Sequence, residues 1–438
     1  MKVSAVFAVT ATVIGIGFGG RALFRKTRIP DIPILLGAGV LLGPVFHLVE
    51  PPILLPLAPY VGTLALLVIM LEGGMSLDID RVLHQMKWAF LLTVAAFLSS
   101  VAGVAAAYRW IAGAPLLHSL LIGAILGCTS GAVVIPLVRE MRMAQNTRTI
   151  LTLEAALGDA LAVVTVVFLV RYIQTPSLSI GEQGAGVLNA FWWGGVLGAA
   201  GGIFWVRILA ALGRMPLAYM LTMAAILLLY ALAEMIHSSG IFAVLVFGIA
   251  ISNAATLVKR IPALRGKADW KASQFALHRT IRWFHEEVTF LARVFFFVYL
   301  GMLLSIGRFN LVFTLASAAM VAAIYLTRNL SVRIVGWFGR TQVPFERKIL
   351  TAMAPRGLAS AVLATLPVAA GIPETDSFIQ YTFVVITATN LLLTTAVVRS
   401  EMRLERIISR FENDGSAPET GPGKSGDPEG TSNEPLET

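Results

Sequence analysis

The chain has 438 residues, 57% hydrophobic and 13% charged, with a mean hydropathy of +0.78; apolar runs of about 20 residues recur along it, which excludes a soluble core and indicates a polytopic membrane protein. The single cysteine, Cys128, excludes an internal disulfide framework and a multi-cysteine metal site, and its place in an apolar span reads as packing. A net charge of +9 would suit nucleic acid in a soluble protein, but here the basic residues fall in short loops between spans and report topology instead.

Hydropathy predicts an all-α fold of about thirteen spans, near residues 3–20, 30–49, 55–75, 87–108, 115–138, 149–170, 187–212, 216–236, 239–256, 288–306, 311–335, 346–371 and 377–398. The first superficially resembles a signal peptide, but its apolar run is too long and no small-x-small cleavage pattern precedes the next loop. Residues 1–400 therefore form a transmembrane domain, interrupted by one long basic loop at 257–287 that carries Trp270 and Trp283 and suits an interfacial helix. Residues 401–438 form a C-terminal tail, and from Asn413 it is too rich in Gly, Pro, Ser and acids to fold. One set of loops collects Arg21, Arg25, Lys26, Arg28, Arg139, Arg142, Arg148, Arg207, Arg214, Lys259, Arg260, Arg347, Lys348, Arg399 and Arg403, whereas the other holds only Arg109, Arg171 and Arg308. Positive-inside placement in a cell (inner) membrane then puts the C-terminus in the cytoplasm and, with an odd number of spans, the N-terminus outside.

If the first six and last six spans are repeats separated by the seventh, their opposite starting sides make them inverted. The fifth span of each half is also its most interrupted: one carries Gly127, Cys128, Thr129, Ser130, Gly131 and Pro136, the other Pro355, Arg356, Gly357, Ser360 and Pro367. Matched interruptions point to broken helices crossing at the midplane to form a binding site, although Gly and Pro are frequent in membrane helices generally.

The stretch LTLEAALGDALAVV, Leu151 to Val164, places two carboxylates inside an apolar span. An ionised carboxylate at mid-bilayer costs roughly 2.5–3.5 kcal/mol on insertion scales, so such acids face a cavity or a partner. Glu154 and Asp159, five positions apart, lie roughly 140° around a helix from one another and are expected to have different jobs. Asp159 falls near the centre of its span with Ala155, Ala156 and Gly158 leaving space around it, and a carboxylate there can hold a proton or a small cation in turn. Glu154 reads as structural, with Arg328 as its partner across two core helices and Arg333 as the rival. Glu72, in LEGGMS, either snorkels to the interface or contributes to the ion path past Gly73 and Gly74. Thr129 and Ser130 offer hydroxyls and, in an unwound segment, free carbonyls.

The six histidines, His47, His84, His118, His237, His278 and His285, have no metal-site spacing, so no metal beyond a transported monovalent cation is expected. Ser238 and Ser239 beside His237 lack the Gly-x-Ser-x-Gly elbow and a partner acid. No enzyme activity and no cofactor are expected.

These segments resemble the cation:proton antiporter superfamily, and within it the NhaP-type sodium/proton exchangers, over most of residues 5–400. Leu71 to Gly74 resembles a Phe-Glu-Gly-Gly segment, Glu154 to Ala160 a Glu-Ser-x-x-Asn-Asp segment, and SGIFAVLVFGIAISN, FFFVYLGM and APRGLAS later stretches in the expected order. The resemblance implies thirteen helices in inverted repeats, a homodimer, a moving six-helix core and a dimerisation scaffold. It also implies that Asp159 is the shared ion and proton carboxylate, that Glu72 and the Thr129 backbone lie in the ion site, and that Glu154 pairs with Arg328. Arg356 matches the Arg of an Arg-Gly segment with no clear ion role. Two departures stand out. The Thr-Asp-Pro of the family is Thr129, Ser130, Gly131 here, and its Asn-Asp pair is Gly158, Asp159, so an acid and an amide are both missing near the centre. The stretch TSGAVVIPL also looks like the potassium-efflux branch of the superfamily.

The expected function is secondary active exchange of Na+ or K+ for H+ by alternating access, electroneutral because Asp159 is the one central acid without an obvious partner. The alternatives are a pH-gated monovalent cation channel or efflux pathway, which would pass ions without a counter-gradient, and an ion-coupled organic solute carrier on a related fold.

Overall fold

The computed structural model describes residues 3–27, 31–47, 58–75, 77, 79–141, 143–175, 180–212, 218–254, 256, 287–302, 304, 310–338 and 344–413. The basic loop with Trp270 and Trp283, and the tail beyond Asn413, lie outside them. Among the described residues every regular element is helical.

In chain order the helices are α1 (Val3–Thr27), α2 (Ile32–Val40), α3 (Ala58–Met75), α4 (Ile79–Ala112), α5 (Leu116–Ile125), α6 (Gly131–Glu140) and α7 (Gln145–Gln174). Then come α8 (Ile180–Leu212), α9 (Ala218–Met235), α10 (Gly240–Ser252), α11 (residues 287–302), α12 (Leu311–Phe338), α13 (Pro344–Ala352), α14 (Leu358–Ala369) and α15 (Phe378–Asn413). A π-helical turn, Leu41–Val45, extends α2; Pro44 inside it has no N–H to give, which loosens the ladder there. Among the described residues, five segments are long and apolar enough to cross a bilayer unaided: Lys87–Ala112, Gln145–Gln174, Leu188–Leu209, Leu311–Gly336 and Phe378–Arg399. Large apolar side chains such as Tyr60, Trp110, Trp192 and Leu326 face outward, as a lipid solvent allows.

The predicted span at 115–138 is two helices, α5 and α6, and the one at 346–371 is α13 and α14. In the second, Pro355 cannot donate to the helical ladder and disfavours helix at the residue before it, so the chain is non-helical from Met353 to Gly357. The connection into α10 is held by the serines beside His237: Ser238 Oγ donates to the Ala233 carbonyl at 2.9 Å, and Ser239 Oγ accepts from the Phe242 amide to cap α10.

Inside the bundle α4 lies along α12, and α10 packs between α3 and α8. Two contacts bring backbones together. A Cβ on Gly248 of α10 would stand 2.7 Å from the Leu71 carbonyl and 3.2 Å from Gly74 Cα, and a Cβ on Gly301 of α11 would stand 2.8 Å from Gly39 Cα in α2. Small residues at a membrane-helix interface permit this approach and gain dispersion along the whole contact. Gly248→Leu is therefore expected to force α3 and α10 apart at a cost of about 1–3 kcal/mol, read as a lower unfolding midpoint in detergent. An unchanged midpoint would show that the contact contributes nothing.

Candidate functional site

The site forms where the two broken helices meet. Residues 126–130 separate α5 from α6, residues 353–357 separate α13 from α14, and the Ser130 amide donates to the Pro355 carbonyl at 2.9 Å. Gly357 has no room for a side chain, since a Cβ there would collide with the Ser130 side chain. The second break is held from α15: Thr389 Oγ accepts from the Arg356 amide at 3.1 Å, and Asn390 Nδ2 donates to the Arg356 carbonyl at 2.8 Å. The amide ends of α6 and α14 both begin at these breaks, and helix N-termini carry partial positive charge.

The carboxylates on α7 diverge as their spacing requires. Glu154 is 3% exposed and accepts from both terminal nitrogens of Arg328, itself 3% exposed, with Nη2 to Oε2 at 2.9 Å. Arg328 Nε also donates to the Leu350 carbonyl at 2.9 Å, so one guanidinium ties α7, α12 and α13 together. Arg333 is exposed and donates to Asn329 instead. A buried ion pair with its remaining donors satisfied is stable where a lone buried charge would not be.

Asp159, also 3% exposed, faces a different space. It lines a narrow cleft together with Glu72, Gly73, Gly131, Ala132 and Leu245. One wall comes from α3 and α10, the other from α6 and α7. The absence of a side chain at Gly131 lets the carboxylate come close, because a Cβ there would lie 3.3 Å from Asp159 Oδ2. Asp159 Oδ1 is buried without a hydrogen-bond partner, the sort of group that a cation or a proton satisfies.

Thr129 and Ser130 sit at the first break, but neither lines the cleft. The Thr129 hydroxyl donates to Glu154 Oε1 at 3.4 Å and accepts from Arg356 Nη1 at 3.5 Å. Arg356 is buried between the breaks and gives its other terminal nitrogen to Ser100 Oγ on α4 at 2.8 Å. Gly158 faces the first break, with a Cβ there standing 3.6 Å from Cys128 Cβ. Cys128 is buried core, as its apolar span suggested, yet its sulfur also lies 3.8 Å from Ser360 Oγ and faces Asp159.

Sequence reasoning missed Ser100, Thr389 and Asn390, named Ser360 only as part of the second interruption, and missed a second ion pair. Arg293 on α11 donates to Asp31 Oδ2 at 3.0 Å and reaches the Ala132 carbonyl of α6 at 3.5 Å. An acid and a base each just inside an apolar span was the available signal, the same that linked Glu154 to Arg328.

The profile of the family described as "Sodium/hydrogen exchanger, transmembrane" matches residues 8–399. The Na(+)/H(+) antiporter 1 of Methanocaldococcus jannaschii is 24% identical over 375 residues, 80% of this chain and 83% of that protein. The K(+)/H(+) antiporter NhaP2 of Shewanella sp. strain ANA-3 is 24% identical over 420 residues, 93% of this chain and 68% of that protein. The structure of the sodium proton antiporter MjNhaP1 from M. jannaschii at pH 8 superposes with a TM-score of 0.74 at 20% identity, covering 92% of this chain and 97% of that one.

Proposed function

The chain belongs to the sodium/hydrogen exchanger family and exchanges a monovalent cation for protons; we propose that it does so by alternating access, with the Asp159 carboxylate taking cation and proton in turn. The observation that carries this reading is the contrast between the two buried acids of α7. Glu154 is bound on both oxygens by Arg328, whereas Asp159 faces the cleft with one oxygen unpartnered.

Because a single carboxylate accepts either one cation or one proton, each cycle exchanges one for one and moves no net charge. Glu72, on the facing wall, adds negative potential that draws cations into the cleft. Thr129, Ser130 and Arg356 hold the crossing of the breaks, and Gly158 leaves room beside it. The ion is Na+ or K+, the cations in the names of the two relatives.

With each broken pair counted as one crossing, the helices read as thirteen spans in two inverted repeats. Two observations support the repeat. The breaks fall in the fifth span of each half, and the contact of span 2 with span 10 through Gly39 and Gly301 has its counterpart between spans 9 and 3 through Gly248 and Gly74. The basic loops favour an outside N-terminus and a cytoplasmic C-terminus in the cell membrane, and a homodimer follows the family resemblance. Transport rather than catalysis is the whole activity in this reading.

The test is proton movement in proteoliposomes on addition of Li+, Na+, K+ or Rb+, with the membrane potential clamped at different values. Cation-driven proton movement of the same rate at every voltage is expected. A rate that follows voltage would overturn one-for-one exchange, and no response to any alkali cation would overturn the antiporter reading in favour of a solute carrier.

A further inference from the structure

Among the described residues, few polar groups face Asp159. From α6 there is the Gly131 amide, from the first break the Cys128 thiol, and from the second break the charge of Arg356; Glu72 stands on the facing wall of the cleft. Cys128 is the one cysteine of the chain and is 2% exposed. Behind it the Ser360 hydroxyl, on the first turn of α14 and 1% exposed, lies 3.8 Å from Sγ. Gly158 brings no side chain between α7 and this break, so a backbone-only stretch of helix leaves the thiol beside the carboxylate.

We propose that Cys128, backed by Ser360, is a specificity-determining residue that sets the field strength of the Asp159 carboxylate and thereby the preference among monovalent cations. The assignment rests on Asp159 being the exchanged group. In this arrangement Ser360 Oγ–H donates to Sγ and the S–H is directed at Asp159. A thiol is a weak donor, so it draws little charge from the carboxylate, whereas a hydroxyl in its place draws more and a methyl group none. The free energy of a site's ligands competes with each ion's hydration, and a stronger field favours the smaller, more strongly hydrated ion. Sulfur is also soft and polarizable, so its donor strength is low.

The experiment compares native protein with Cys128→Ser, Cys128→Ala and Ser360→Ala in proteoliposomes, measuring the KM for Li+, Na+, K+ and Rb+ at one pH. Cys128→Ser is expected to raise the KM for Li+ and Na+ relative to K+ and Rb+ by about threefold to tenfold, the factor attached to one neutral hydrogen bond. Cys128→Ala moves the ratio the opposite way, and Ser360→Ala moves it in that same direction by less. A structural role alone would lower the maximal rate or raise every KM together, and either result overturns the assignment. Asp159→Asn serves as the control: loss of exchange there with unchanged ratios in the Cys128 variants overturns only this inference, whereas retained exchange overturns both it and the reading beneath it.

Discussion

Asp159→Asn is expected to abolish cation-driven proton movement, with a loss of at least about a hundredfold, the lower end of what a positioned proton-exchanging side chain contributes. The amide keeps the shape of the carboxylate but neither takes up and releases a proton nor neutralises a cation. Nothing else in the cleft replaces it, since Glu154 is engaged by Arg328 and Glu72 stands on the other wall. The folded state does not rest on an ion pair at this position. Asp159 makes no ion pair among the described residues, and its Oδ1 has no hydrogen-bond partner, so a neutral side chain removes a desolvation cost. The variant should therefore unfold at the same temperature as the native protein or higher. Surviving flux would remove Asp159 from the mechanism and transfer the role to Glu72.

Arg328→Leu should have the opposite profile: loss of the fold first, with transport lost as a result. Removing the arginine leaves the Glu154 carboxylate buried and facing only the long Thr129 contact, and breaking a buried pair in this way costs roughly 3–5 kcal/mol. It also strips the Leu350 carbonyl of its donor, so α13 loses its tie to α12. Glu154→Gln should cost less, because Arg328 keeps the Leu350 carbonyl and one of its two acceptors, as the amide oxygen. Combining Glu154→Leu with Arg328→Leu should recover most of the lost stability, since an apolar pair of similar volume needs no desolvation. Unfolding midpoints in detergent provide the measure. A single Arg328→Leu variant as stable as native protein would mean that the pair does not hold the core.

The residues that sequence reasoning brought together are those for which burial leaves few options. An acid and an arginine in apolar spans need each other, which joined Glu154 to Arg328 across 174 positions. Breaks follow from local chemistry, and Pro355 and Gly357 or Gly127 and Gly131 announce them without reference to the rest of the chain. What the breaks touch is not local. Thr129 was an ion-ligand candidate because its hydroxyl sits at a break, yet that hydroxyl turns to Glu154 and Arg356, a direction that periodicity cannot give in a segment with no helical period. Cys128 and Ser360 stand 232 positions apart and are both small, common residues of membrane helices, so nothing in either neighbourhood marks them as partners. Asp31 and Arg293, 262 positions apart, sit near span ends where charges are ordinarily solvated, so their pairing, part-buried here, did not stand out.

Helices that meet backbone to backbone, as α3 and α10 do at Gly74 and Gly248, have no side chains on which to slide and behave mechanically as one plate. That pair is one wall of the cleft, so under the proposed alternating access the opening and closing of the cleft falls to displacement of α6 and α7 against it. Lipid has to flow around whatever moves. Turnover of such a machine is expected to follow the viscosity and thickness of the surrounding bilayer more steeply than the equilibrium affinity for the cation does.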